Sequence, residues 1–290
     1  ERDHVTDEIQ ILQLQSAVAT EAGLLDRALE YAQRAYGVAR ESNSEQHYAV
    51  SENNIAAIRQ ARGEYAQALA AFERAVELYR RYGDTRSEAM AINNVANLYD
   101  VAGDLNRAVE YYERSIAIAR EAEFAQDIPT YLNNLGLVYL KWSVYDQAVE
   151  YFNRALEAAK TVHQNDVMAN IYAALGNVAL ETARYEEARE YFSRSYEIVT
   201  DLGVPSKIAT GLINLGTVDQ STGRIEPAIE RYRDALEIAR EHRLPDLEGT
   251  AINNIGNAYK TLGDYRSALT YYEDALTIER RRGDPDALST

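Results

Sequence analysis

The chain has 290 residues and a formal net charge of −16, and hydrophobic residues make up 46% of it. This negative charge argues against nucleic acid or an anionic membrane as a partner, because both attract surfaces rich in Lys and Arg. No apolar run reaches the roughly 20 residues that a membrane helix needs. The chain has no cysteine, which excludes disulfides and thiolate metal sites but leaves the compartment open. We expect a cytoplasmic protein.

A structural unit repeats every 40 residues along the chain. A glycine recurs at this spacing, with Ser143 and Ala183 in the two places that lack it, and an alanine follows five residues after each of these positions. The glycines are Gly23, Gly63, Gly103, Gly223 and Gly263, and the alanines are Ala28, Ala68, Ala108, Ala148, Ala188, Ala228 and Ala268. A register that holds over seven copies without an insertion predicts an array of identical structural units.

Each unit is predicted to be a hairpin of two helices that divides at the glycine. Ile92, Val95, Ala96 and Tyr99 lie at positions i, i+3, i+4 and i+7, which is one apolar face of a helix that ends near Gly103. Glycine suits the left-handed residue that ends a helix, and an acidic residue just after it can cap the next helix. In chain order, the hairpin turns fall near residues 23, 63, 103, 143, 183, 223 and 263, and an eighth unit starts at about residue 284.

Prolines mark the junction between one unit and the next. Pro205, Pro245 and Pro285 share one register, where proline can open the following first helix. Gly283, Asp284 and Pro285 repeat this junction, so we expect the array to be truncated at its C-terminal end. A repeat that lacks its neighbour exposes apolar surface. We therefore expect end-to-end self-association through residues 260–290.

The residues of one unit resemble a known family. Leu132, Leu135, Gly136, Tyr139, Tyr145, Ala148, Phe152 and Ala155 follow the pattern of the tetratricopeptide repeat. The usual period of that family is about 34 residues, and the longer period here is similar to that of Pins/LGN proteins, kinesin light chains and many bacterial signalling proteins. The resemblance covers the whole chain. It implies an all-α fold, a right-handed superhelical solenoid of about seven hairpins that residues 1–290 form as a single domain, with first helices lining a concave groove.

Asparagines recur on the face of the first helices that points away from the apolar stripe. With about 100° between successive residues, Asn93 and Asn97 lie about 130 to 150° from the centre of that stripe, so we expect them outside the core. The whole set is Asn53, Asn54, Asn93, Asn94, Asn97, Asn133, Asn134, Asn177, Asn214, Asn253, Asn254 and Asn257.

Two interpretations of the asparagines stay open. The family resemblance implies that this face is the groove, and a carboxamide offers both donors and an acceptor to the backbone of an extended peptide. Alternatively, the asparagines bond to one another or to the next repeat as a stabilising ladder. The two roles can coexist.

Cations recur at the end of the second helices, at Arg80, Arg120, Lys160 and Arg240. The helix dipole favours a cation at this end, with or without a ligand. The resemblance to Pins/LGN arrays implies instead that such cations lie at the rim of the groove and meet acidic side chains of the partner. Both interpretations stay open.

Apolar residues replace the amides in the middle of the array. They occupy the expected groove positions Leu137, Leu140, Ala173, Ala174, Leu180 and Ile213, with Lys141 and Trp142 nearby. An apolar stretch with a polar rim is typical of the centre of an interface. The alternative is that these residues pack between neighbouring first helices.

No catalytic motif, metal-ligand spacing or phosphate-binding glycine loop is present, so we expect no enzyme activity, no catalytic or metal-binding residue and no cofactor. The leading hypothesis is a scaffold or adaptor that binds an extended, acidic or apolar segment of a protein partner in its groove. The alternative is a regulatory or sensor segment of a larger signalling protein, such as a kinase, cyclase or transcription regulator.

Overall fold

A computed structural model describes residues 2–283, and all the secondary structure in this range is α-helical. The chain divides into two compact units, a first unit of residues 1–158 and a second unit of residues 159–290. None of the helices in residues 2–283 has the length and apolar character needed to cross a membrane.

The first unit consists of helices that pack in chain order. Its first seven helices pack consecutively, each against the next. The helices are α1 (Arg2–Glu21), α2 (Leu25–Glu41), α3 (Glu45–Ala61), α4 (Tyr65–Tyr82), α5 (Thr85–Val101), α6 (Leu105–Glu121), α7 (Ile128–Lys141) and α8 (Tyr145–Thr161), the last of which continues past the boundary.

The second unit repeats this arrangement. Its helices are α9 (Asn165–Glu181), α10 (Tyr185–Leu202), α11 (Pro205–Ser221), α12 (Ile225–Glu241), α13 (Pro245–Thr261) and α14 (Tyr265–Gly283). Pro205 and Pro245 begin first helices, as their register predicts, whereas Asp284 and Pro285 lie outside the described residues. The all-α prediction of consecutively packed helix pairs is confirmed within each unit.

A left-handed residue ends a helix every 20 residues from Gly23 to Gly263. At the α5–α6 turn, the Gly103 N–H donates to the Asp100 carbonyl at 3.0 Å, and the Asp104 carboxylate accepts from the Arg107 N–H at 3.2 Å. This is the predicted cap. Ala183 takes the same left-handed conformation with φ +57°, although a Cβ makes it costly.

Close contact between a glycine of the first helix and an aromatic ring of the second sets the spacing inside the last four hairpins of the described residues. Phe152 on α8 is fully buried, and its ring lies so close to Gly136 on α7 that an added Cβ would stand 2.6 Å from the ring carbon Cε1. Gly176 and Phe192 repeat this contact in the second unit at the same distance of 2.6 Å. At these two glycines the hairpin interior is therefore close-packed, with no room for one more methyl group.

Candidate functional site

The predicted asparagines differ in exposure from one unit to the other. In the first unit Asn93 is buried, with 6% of its surface exposed, and the half-buried members are Asn53, Asn54, Asn94, Asn97, Asn133 and Asn134. In the second unit the exposed members are Asn177, Asn253 and Asn257, and the half-buried members are Asn214 and Asn254. The prediction that Asn93 lies outside the core is therefore wrong.

Packing between first helices explains why Asn93 is buried. Helix α7 contacts α5 as well as α6, and Asn134 Nδ2 on α7 donates to Asn93 Oδ1 on α5 at 3.2 Å. The angle of Asn93 on its own helix is correct, but a neighbouring helix covers that face. This asparagine–asparagine hydrogen bond between first helices is a contact of the kind that the alternative interpretation, a stabilising ladder, expects.

Two asparagines hold the hairpin to which they belong. The Tyr112 hydroxyl on α6 donates to Asn97 Oδ1 on α5, and the Tyr272 hydroxyl on α14 donates to Asn257 Oδ1 on α13 at 2.8 Å. Burial raises the pKa of Tyr112 above its usual range, so its hydroxyl keeps the proton that it donates. The amide nitrogens of Asn97 and Asn257 are not used in these bonds.

A fixed spacing in the sequence indicates this tyrosine–asparagine contact, although the sequence analysis did not predict it. The two partners lie 15 residues apart in the chain. At the same spacing, Tyr232 faces Thr217, and its hydroxyl lies 3.4 Å from the Thr217 hydroxyl. Phe72, which has no hydroxyl, stands at the same spacing from Ala57.

Other asparagines keep their amides free of hydrogen bonds within residues 2–283. No hydrogen bond engages the amide of Asn53 in the first unit, or that of Asn177 or Asn253 in the second. Asn133 Oδ1 is buried and accepts no hydrogen bond. A buried carbonyl oxygen without a donor is costly, and this distinguishes Asn133 from the other asparagines of the set within residues 2–283.

The predicted rim cations lie in the last turns of second helices, but two of them already have carboxylate partners. Arg80 Nε donates to Glu88 at 2.9 Å, and Arg240 Nε donates to Glu248 at 2.9 Å. These pairs join a second helix to the next first helix. Within the described part of the chain, Arg120 forms no ion pair and is exposed.

Lys160 is exposed in the last turn of α8. It has an interaction of its own, so its position adds no support to a role in binding a partner.

The apolar positions divide between surface and core. In the first unit Leu137 is exposed, Leu140 is half-buried, and the exposed Trp142 ring stacks on Tyr139 with centroids 6.4 Å apart. In the second unit the structure corrects the prediction, because Ala174 and Ile213 are buried.

Two further positions of the second unit contribute little exposed apolar surface. Ala173 is half-buried, and Leu180 packs against the core around Ala179 and Phe192. The interpretation that these residues pack between helices therefore holds for Leu180 and for the buried positions of this unit, and Leu137 is the predicted groove residue with the most exposed apolar surface.

Comparison with known proteins agrees with this architecture. The tetratricopeptide repeat family matches residues 7–81, 47–121, 87–161, 127–201, 167–241 and 207–281. No curated protein matches the chain.

Several solved structures resemble the chain. The apo form of RapI is 16% identical with a TM-score of 0.75, covering 95% of this chain and 99% of that one. The Rap conjugation gene regulator of the plasmid pLS20, in complex with a peptide, is 15% identical with a TM-score of 0.70, covering 96% and 75%. A putative kinesin light chain of Podosopora anserina is 17% identical with a TM-score of 0.55, covering 70% and 98%.

At these identities a structural likeness establishes the fold and not the function. The family assignment rests on the repeat matches, which overlap without a gap from residue 7 to residue 281. Together with helix pairs that pack in chain order in both units, they lead to one conclusion: the chain belongs to the tetratricopeptide repeat family.

Proposed function

We propose that the chain is a non-enzymatic interaction protein that binds an extended segment of a protein partner along the asparagine-bearing faces of its first helices. The observation that carries this proposal is the carbonyl oxygen of Asn133, which is buried and accepts no hydrogen bond. A backbone N–H of an extended ligand supplies the missing donor, and the cost of the unpaired oxygen in the free protein then adds to the affinity.

The asparagines divide into two groups, one that stabilises the hairpins and one whose amides have no hydrogen-bond partner within residues 2–283. Asn97 and Asn257 accept from tyrosine hydroxyls and fix the hairpins, while Asn53, Asn177 and Asn253 have no partner within residues 2–283. A free carboxamide presents donors and an acceptor together. It therefore matches the alternating C=O and N–H groups of an extended backbone without reading the ligand's side chains.

Side-chain preference in the first unit would come from the residues that are not amides. Leu137 exposes apolar surface, and Arg120 has a guanidinium with no ion pair in the described part of the chain. An apolar side chain and a carboxylate on the ligand would complement these two groups. The Rap conjugation gene regulator, which has a similar fold, forms a complex with a peptide, and this supports a peptide as the ligand of the chain.

A random-peptide selection tests the proposal without knowledge of the natural partner. Linear peptides would be selected on the protein from a phage-displayed library and then titrated against Asn53→Ala/Asn133→Ala. Asn153→Ala is the matched control, because Asn153 is exposed on the second helix α8 and lies outside the asparagine set. Each lost amide contact should weaken binding by about tenfold.

The selection separates the two interpretations of the amides. Loss of affinity in the double variant, with full affinity in Asn153→Ala, supports the groove. Equal affinity in all three proteins rejects it. Unfolding measurements on the same variants distinguish a lost contact from a lost fold.

A further inference from the structure

A cluster of charged residues in the second unit stands apart from the asparagines. Asp219 on α11 has 1% of its surface exposed. Its Oδ1 lies 2.8 Å from Arg189 Nη2 and 3.2 Å from Arg224 Nη2, and its Oδ2 lies 2.7 Å from Arg231 Nε. We call these four residues the arginine cluster.

The repeat shows that the fold does not need this cluster. At the register of Asp219 and Arg231, three other hairpins carry two tyrosines; in one of them the Tyr99 and Tyr111 rings lie 5.3 Å apart. Residues at the register of Arg189 are Leu29, Leu69, Val109, Val149, Ile229 and Leu269. Charged groups therefore occupy positions where three other hairpins have two tyrosines and where the register of Arg189 is otherwise apolar, and charge is costly to bury.

The cluster has more positive charge than Asp219 can balance, and its hydrogen bonding is incomplete: Asp219 Oδ2, although 2.7 Å from Arg231 Nε, accepts no hydrogen bond. Three guanidinium groups share one carboxylate, so two positive charges remain unbalanced. Arg189 Nε is buried and has no acceptor, and each guanidinium has five N–H donors in total. The side chains of Arg189, Arg224 and Arg231 remain 21%, 47% and 35% exposed, so part of each side chain is open to solvent.

We propose that the arginine cluster is an anion site for a phosphate-type dianion, either free phosphate or the phosphoryl group of a small molecule. A phosphate carries close to two negative charges at neutral pH, which balances the excess charge, and its oxygens accept from several guanidinium groups at once. Asp219 holds the three side chains together while the site is empty. The site shares no residue with the asparagine set, so it is independent of the peptide-binding proposal.

Calorimetric titration with inorganic phosphate tests the site, with sodium chloride adjusted to keep the ionic strength constant. We expect saturable binding to the wild type and about tenfold weaker binding to Arg224→Gln, since one charge-assisted hydrogen bond is lost. The matched control is Arg184→Gln. Arg184 Nε donates to Thr182 at 2.9 Å, just as Arg224 Nε donates to Thr222 at 3.3 Å, but Arg184 forms its ion pair with Glu187 instead of Asp219.

A second variant guards against a simple loss of structure. Arg189→Leu/Asp219→Tyr/Arg231→Tyr installs the residues found at the same register in an earlier pair of hairpins, Leu69, Tyr99 and Tyr111. It should therefore fold, and because Arg224 is the one arginine of the cluster that it keeps, it should lose saturable phosphate binding. Absence of saturable binding to the wild type overturns the proposal. Equal binding by Arg224→Gln and Arg184→Gln, or retained binding in the triple variant, also overturns it. Acetate is a monoanion, and binding of acetate as tight as that of phosphate would contradict the charge argument.

Discussion

Replacing Asn97 by Ala removes the acceptor of the Tyr112 hydroxyl, which is buried between α5 and α6. An unpaired buried hydroxyl costs about 1–3 kcal/mol. Ala regains about 0.6 kcal/mol because it is the better helix former. Asn97→Ala should therefore lower the free energy of unfolding by about 0.5–2 kcal/mol. Asn177→Ala in the second unit, whose amide has no partner in residues 2–283, should be neutral or slightly stabilising.

A double-mutant cycle isolates the contact. Asn97→Ala/Tyr112→Phe reproduces the residue pair Ala57 and Phe72 of an earlier hairpin, so it should recover much of the stability that the single Asn97→Ala loses. The coupling energy should be about 1 kcal/mol. Urea unfolding, monitored by circular dichroism, measures all four proteins. A stabilised Asn97→Ala variant, or a coupling energy near zero, would refute the structural role of Asn97 and return it to the group of free amides.

Three shorter predictions concern backbone strain, pH and self-association. Ala183→Gly should raise the free energy of unfolding by about 0.5–1 kcal/mol, because glycine adopts the left-handed conformation without the Cβ clash; an unchanged urea midpoint would contradict this. Burial and the bond to a neighbouring tyrosine raise the pKa of Tyr36 to about 12, while an unfolded phenol titrates near 10. Its contribution to stability is present below about pH 10 and lost as the pH rises to about 12. The melting temperature, measured at a series of alkaline pH values, should therefore decrease between about pH 10 and pH 12. Leu276 on α14 is exposed, whereas Leu236 at the same register is buried in the core where α12 meets α13. A second copy should therefore cover the α14 face, giving self-association in light scattering that Leu276→Glu abolishes, and a strict monomer at high concentration would contradict this.

The helices and turns could be predicted because the same sequence pattern recurs every 40 residues. Gly103 ends α5, and Asp104 caps α6, as the spacing indicates. Each depends on interactions within a few residues along the chain. The same turn positions recur in the other hairpins, so the prediction of helical hairpins does not depend on any single turn.

The site could be predicted only in part, because angles on a helix describe one helix and not its neighbours. Asn93 points away from its own apolar stripe and is still buried, since Asn134 on the next first helix covers it. Ile213 is buried for a related reason: it belongs to a core to which α11, α12 and α13 all contribute. In the sequence, Arg189 and Asp219 each differ from the residues at the same position of the other repeats. Only the packing of the helices shows that Arg189 and Arg231 pair with the same carboxylate.

Site-specific photo-crosslinking tests the central claim most directly. A photoreactive amino acid at Asn177 or Asn253, which are exposed on first helices, is compared with the same amino acid at Glu190, which is exposed on the second helix α10. The probe is a peptide selected from the random library. The account predicts crosslinks from the two asparagine positions and none from Glu190. Crosslinks from Glu190 alone would show that the peptide binds another face and would contradict the groove.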